Sequence, residues 1–345
     1  MTPVIKAPNP PPSNQASDIF ESMRRQLQTL AGTEDLEGFS LKEMFSQVFR
    51  HHTDEELDDY FIVGTYRTTP PLELVEVGWP KPWFFARVLL FVGVVYLGFS
   101  FATTEFNNMN LIPGLIMMGS LAVPLATVFL FFELNTPRNV PLPRVLTFFC
   151  AGGIASLIVS LIGYDITSLG WLGDMQAGII EEIGKVLAVA LLVRSVRYKY
   201  ILNGMLFGAA VGAGFAAFET AGYAFRDLLA SRSVEDMTTL IRLRAFLTPF
   251  GHVAWTAIAA GALWRVKGDR PFEPRMLFDK HFLKTISIPI VLHMIWDSPL
   301  PSPFFSVQIG VGIVGWYVVF GLVQEGLHQV KNEQLSVLKL RLEAR

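Results

Sequence analysis

Polar and apolar positions divide the chain near residue 80. Over residues 17–32 the apolar positions Ile19, Met23, Leu27 and Leu30 recur near helical spacing. Over residues 36–50 so do Leu41, Met44, Phe45, Val48 and Phe49. Both stretches predict short amphipathic helices. Thr53 and Glu56 form a capping box for a third helix running to about Ile62. Residues 1–15, rich in proline and polar groups, are expected to be disordered. From Pro82 onward the pattern changes. Residues 88–104, 106–132, 145–164, 245–264 and 305–324 contain no Asp, Glu, Lys or Arg. Residues 175–193 and 200–225 are as apolar except for a few ionisable groups, and 281–298 form a shorter apolar run. A membrane-crossing helix needs about 20 mostly apolar residues. The pattern therefore predicts an all-α membrane protein with about eight transmembrane helices. A polar N-terminal segment over 1–80 precedes the membrane core at 81–327, and a tail follows at 328–345.

The charges between the spans orient them. Arg138 and Arg144 follow span 2; Arg194, Arg197 and Lys199 follow span 4; Arg265, Lys267, Arg270, Arg275 and Lys280 follow span 6. No Lys or Arg follows spans 1, 3 or 7. Because Lys and Arg collect in cytoplasmic loops, both termini are expected in the cytoplasm. The connection after span 5 dissents, with Arg226, Arg232, Arg242 and Arg244 among Asp227, Glu235 and Asp236. It is expected to lie along the membrane interface.

Composition supports lipid as the solvent. Of 345 residues, 51% are hydrophobic and 17% charged, against about 25% charged in soluble domains. A net charge of −2 gives no reason to expect a nucleic-acid partner. The single cysteine, Cys150, excludes an internal disulfide and is expected to be a small buried apolar residue. No apolar run lies within the first 30 residues, so a cleaved signal is not expected and the first span must direct insertion. Glu133 and Glu325, at span ends, read as interfacial. Trp79, Trp83 and Trp264 read as interfacial anchors. Gly204, Gly208, Gly212 and Gly214 read as points of close helix packing. The adjacent His51 and His52 face apart on a helix and make a poor metal pair.

Spans 4 to 7 carry the chemistry. Span 4 holds Glu181, Glu182 and Lys185; span 5 holds Glu219; span 6 holds His252; span 7 holds His293 and Asp297. A charge at mid-helix costs about 2.5–3.5 kcal/mol on insertion, so such residues are kept for function and face the protein interior. Glu181, Glu219 and His252 lie about seven residues from the outer ends of their spans, and His293 about five. At 1.5 Å per residue all four sit roughly 8–11 Å beneath the outer surface. Antiparallel helices thus deliver polar groups to one level, reached from outside. Four carboxylates beside one lysine must retain protons or bind a cation. Glu219, His252 and His293 form a plausible zinc shell with a fourth position open to water. Zinc would act as a Lewis acid, with Glu181 or Glu182 as general base. Lys185 is within reach of both glutamates. Asp297, one turn from His293, would orient its imidazole or, if protonated, stabilise an oxyanion. A metal-free alternative has Glu181 or Glu182 share a proton with Glu219. A proton- or cation-coupled transporter would use similar groups, but nearer the midplane and between repeats, and no repeat is visible. A noncatalytic receptor or scaffold leaves the buried charges without a purpose.

These residues carry a family pattern. Glu181–Lys185 reads EExxK, Phe215–Glu219 reads FxxxE, His252–Thr256 reads HxxxT with Gly261 following, and His293–Asp297 reads HxxxD. In this order on successive apolar helices, the set resembles the PrsW family of intramembrane proteases over about residues 80–325. That family is similar to the CAAX prenyl protease and bacteriocin-processing group, with EExxxR, FxxxH and HxxxN. The resemblance implies hydrolysis of a peptide bond within a bacterial cell membrane. Its implied substrate is a single-span membrane protein of the anti-sigma-factor kind, and its implied essential residues are Glu181, Glu182, His252 and His293. Members are described both as metalloproteases and as glutamic-type proteases. Where the CAAX group has the histidine of FxxxH this chain has Glu219, so a ligand set does not transfer.

Overall fold

The protein is described here by a computed structural model covering residues 15–32, 36, 38–193 and 195–343. Residues 1–14, where disorder is expected, and Arg194 of the fourth loop lie outside the described residues. The described chain is helical throughout, without strands. A first amphipathic helix, α1 (Gln15–Ala31), is followed by a single turn, α2 (Leu41–Met44), and by α3 (Asp54–Phe61). The membrane region follows: α4 (Phe84–Glu105), α5 (Ile112–Leu134), α6 (Leu142–Thr147), α7 (Gly153–Ile166), α8 (Gln176–Leu192) and α9 (Ile201–Ser231). It continues with α10 (Val234–Leu247), α11 (His252–Lys267), α12 (Lys280–Trp296) and α13 (Ser306–Glu343). A π-helical turn over Phe148–Gly152 joins α6 to α7 in one run. A 3-10 turn over Thr248–Phe250, followed by Gly251, joins α10 to α11.

Six of these runs are long and apolar enough to cross a bilayer: Phe84–Glu105, Met109–Leu134, Leu142–Ile166, Ile201–Ser231, Val234–Lys267 and Pro303–Glu343. The sequence predicts eight. The two that fall short, α8 and α12, have 17 residues each, or about 26 Å of rise. They are also two of the helices bearing the buried ionisable groups. Turns at Gly170–Met175 and Pro274–Phe278 precede them.

Helix α9 is the central column. Its glycines form a row against α11: a Cβ at Gly208 would lie 2.3 Å from the Thr256 carbonyl oxygen, and one at Gly212 would lie 2.4 Å from that of His252. Only glycine lets the two backbones approach this closely, and that approach sets where α11 places His252. Helix α4 is peripheral, with Val92 and Thr103 its buried residues. A fully buried amide cluster, Asn135, Asn139 and Asn203, ties the end of α5 to the start of α9. Asn203 Nδ2 donates to Asn135 Oδ1 (2.8 Å) and to Asn139 Oδ1 (2.6 Å).

Several expectations need correction. The apolar spacing over 36–50 gives a helix only at α2, with turns beyond it. Glu133 is buried rather than interfacial: its carboxylate accepts from the backbone N–H groups of Trp83 (2.6 Å), Phe84 (2.9 Å) and Phe85 (2.8 Å). It thereby caps α4, whose first N–H groups have no partner within the helix. Glu325 is held in an ion pair by Arg265. Trp264 is fully buried and donates to the Tyr198 carbonyl at 2.8 Å. Trp83 is buried under the His52 ring, stacked at 3.5 Å. Cys150 is exposed on the outside of the helix bundle, not buried. The Thr53–Glu56 capping box forms as expected, at 3.0 and 3.2 Å. The Thr53 amide holds the Glu56 carboxyl below the usual carboxylate range.

Candidate active site

All seven ionisable residues singled out from the sequence meet at one end of the bundle. Helix α8 contributes Glu181, Glu182 and Lys185; Glu182 and Lys185 are completely inaccessible. Lys185 is the hub. Its Nζ donates to Glu182 Oε1 (2.8 Å) and Glu181 Oε2 (3.3 Å), lies 2.8 Å from His252 Nδ1, and sits 4.0 Å over the Phe215 ring. An ammonium only donates, so His252 Nδ1 accepts, which leaves Nε2 for a proton or a metal. Nε2 lies 3.1 Å from Glu219 Oε2. His293, on α12, places Nδ1 3.0 Å from Glu182 Oε1 and Nε2 3.2 Å from Asp297 Oδ2. Both rings pack on Trp255, with centroids at 5.5 Å and 4.6 Å.

These groups line a cavity of about 670 Å³. Glu181, Glu219, His252, His293 and Asp297 form one side, and Leu240, Leu243 and Leu247 of α10 form another. Glu181 opens on this cavity, whereas Glu182 is sealed beneath it. The break between α10 and α11 puts His252 at the first position of its helix, facing the cavity. Irregular backbone at membrane depth is tolerated where it lines such a space. The connection expected along the interface is therefore helix α10, a wall of the site.

Three participants escaped the sequence reading. Tyr164 of α7 donates its hydroxyl to Glu181 Oε1 at 3.0 Å. Arg244 of α10 donates from Nη2 to Glu219 Oε2 (2.5 Å) and from Nε to Thr220 Oγ1 (2.9 Å). Trp255 supports both imidazoles. A tyrosine or tryptophan in an apolar run carries no charge to flag it, and Arg244 stood among four arginines with nothing to single it out. Conversely, Thr256 of HxxxT turns away: its hydroxyl donates to the His252 carbonyl at 2.8 Å.

The donor chemistry suits a metal. Glu181, His252 and His293 each offer a ligand atom within 4.8 Å of the others. Glu219, expected in that role, is outside this group; its Oε2 meets both Arg244 and His252. With neutral rings, four carboxylates face only Lys185 and Arg244, leaving two negative charges for a divalent cation to balance. Glu182 Oε2 is buried without a hydrogen-bond partner. Two imidazoles and a carboxylate are a known catalytic zinc set.

The sequence model of PrsW family intramembrane metalloproteases matches residues 140–323. No curated protein and no solved structure matches the chain. The family match covers more than half of the chain and encloses Glu181 through Asp297, the residues that converge on the cavity. Together with the apolar helices, it makes the protein an integral membrane peptide-bond hydrolase, and the chain belongs to the PrsW family of intramembrane metalloproteases.

Proposed function

We propose that the protein cleaves a peptide bond of a single-span membrane protein, of the anti-sigma-factor kind, at the floor of this cavity. The observation that carries the reading is the grouping of Glu181, His252 and His293 ligand atoms within 4.8 Å on the wall of a space large enough for a peptide segment. These three residues would hold a zinc ion, which when bound supplies a Lewis acid for the scissile carbonyl. Glu219 faces the same cavity from the other side of His252. Its carboxylate, paired with Arg244, takes the proton of the attacking water and returns it to the leaving amine. One nitrogen of His293 would take the ion, and the carboxylate at the other, Asp297 at Nε2 or Glu182 at Nδ1, would orient the ring. Lys185 compensates the buried Glu182.

The chain is proposed to cross the bilayer eight times, with α8 and α12 as short crossings and both termini in the cytoplasm of a bacterium. The cavity then opens on the outer side. Loop charges support this orientation, and so does Asp174, from an outer loop, at the rim.

One experiment separates the roles. Glu181→Gln should lose zinc, measured by metal analysis of the purified protein. Glu219→Gln should keep zinc and lose about 10²–10⁴-fold in cleavage of a single-span reporter, the value of a general base. The opposite pattern would exchange the two roles. Full reporter cleavage in both variants would end the proposal.

A second reading has one observation in its favour. Each imidazole nitrogen of the pair already has a polar neighbour within 3.2 Å, so the site is satisfied by the chain itself. This suits a glutamic mechanism without metal. The Glu182 form of the proton-sharing pair is poorly served, because His252 stands between Glu182, 4.0 Å from Nδ1, and Glu219, 3.1 Å from Nε2. Chelation decides: a metal-free preparation that still cleaves selects the glutamic mechanism.

A further inference from the structure

We infer that Tyr164 is a positioning residue of the metal site, holding the Glu181 carboxylate so that one oxygen is engaged and the other faces the histidines. Its hydroxyl donates to Oε1 at 3.0 Å. The remaining oxygen, Oε2, lies 3.9 Å from His293 Nε2 and 3.3 Å from Lys185 Nζ. A carboxylate on a flexible side chain can rotate about its last torsion. A donor fixed to one oxygen removes that freedom and orients the ligand, as outer partners of metal-binding side chains do.

The backbone makes the donor rigid. Helices α7 and α8 pack at van der Waals contact on both sides of the hydrogen bond. A Cβ at Gly163, beside Tyr164, would lie 2.7 Å from Ile180 Cγ2, and Ile180 adjoins Glu181. On α8, a Cβ at Gly184 would lie 2.5 Å from Ser160 Oγ, one turn before Tyr164. The phenol is thus delivered from a neighbouring helix whose distance cannot vary. Tyr164 also lines the cavity, so the hydroxyl approaches Glu181 from the open side, where water would otherwise compete for Oε1.

The inference rests on the metal reading above, and its test is arranged to fail separately. Zinc affinity of the purified full-length protein is measured by competition with a chromogenic chelator. The variants are Tyr164→Phe, Glu181→Gln, the double variant and Tyr96→Phe. Loss of an outer partner costs roughly 10–100-fold in metal affinity, and Tyr164→Phe should show a weakening of that size. The double variant should bind no more weakly than Glu181→Gln alone, because the hydroxyl acts only through that carboxylate. Tyr96, whose buried hydroxyl has no hydrogen-bond partner, should leave the affinity unchanged, which controls for loss of a phenol elsewhere. If Glu181→Gln weakens binding and Tyr164→Phe does not, the hydroxyl is only a contact between helices and the inference is overturned. If neither variant alters zinc affinity, the metal reading fails and the inference with it.

Discussion

Single residues here do two kinds of work, and burial alone does not tell them apart. Glu133 and Glu182 are both buried carboxylates, the first at the end of α5 and the second inside α8. Glu133 serves the fold: three backbone N–H groups converge on it. A hydrogen bond to a charged group is worth roughly 1.5–3 kcal/mol, so Glu133→Ala should lower stability by at least about 3 kcal/mol. Glu133→Gln, which keeps one acceptor oxygen, should recover part of the loss. Thermal unfolding in detergent reads both, and reporter cleavage by the folded fraction should stay at the wild-type level. His252→Ala and His293→Ala should do the reverse, each lowering zinc content and cleavage while the helical signal persists. All seven site residues were legible in the sequence because a charge or an imidazole in an apolar helix is expensive and therefore conspicuous. What was not legible was their partners. Which carboxylate meets Arg244 depends on α10 folding back over α9, and Tyr164 is silent in any count of charges. Nor does the sequence show that Glu181, rather than Glu219, is the carboxylate grouped with the two histidines.

At the scale of elements, the glycine row of α9 converts sequence into site geometry. His252 lies at the depth it does because Gly212 admits its carbonyl and Gly208 admits that of Thr256. Gly212→Ala puts a methyl 2.4 Å from the His252 carbonyl oxygen, and the helices must separate. Overpacking of this kind costs about 1–3 kcal/mol. Because the displaced atom belongs to a site residue, cleavage should fall further than stability does. Gly222→Ala, ten residues along the same helix, meets nothing within 4 Å and should be neutral or mildly stabilising through helix propensity. Unfolding and cleavage measured on the pair test this, and equal losses in both variants would detach the glycine row from the site. The central spans were readable because their apolar runs are long. Helices α8 and α12, with 17 residues each, fall short of the length expected of a crossing. The shortness of α2 was hidden, since apolar spacing over 36–50 is met by one helical turn that buries Met44 and by turns that leave Phe49 exposed.

Across the whole molecule, the N-terminal segment and the last helix are built together. Arg197 donates to the Gly64 carbonyl and to Thr69 Oγ1, at 2.6 and 2.7 Å. Gln334 of α13 donates to the carbonyls of Leu72 (2.7 Å) and Val75 (2.8 Å), and Arg341 pairs with Glu73. Lys284 donates to the Thr29 carbonyl and Arg265 to that of Ala31, at the end of α1 where cations suit the helix dipole. Helix α13 has 38 residues, or about 57 Å at 1.5 Å per residue. That exceeds a hydrocarbon core of about 30 Å, so its far end stands in water beside the segment it binds. The proposed topology accordingly puts the N-terminal segment, α13's far end and the basic loops after α8 and α11 on one side of the membrane and the cavity on the other. Cysteines introduced singly at exposed Ser168 and Ser336, in a chain with Cys150 replaced by serine, read this with a membrane-impermeant thiol reagent. Ser168→Cys, in the loop between α7 and α8, should label in intact cells, and Ser336→Cys only after permeabilisation. Labelling of both from outside would mean an even number of crossings between residues 168 and 336 rather than the proposed five of α8, α9, the α10–α11 run, α12 and α13. The orientation would then fall, and with it the route by which an outer peptide segment reaches Glu181.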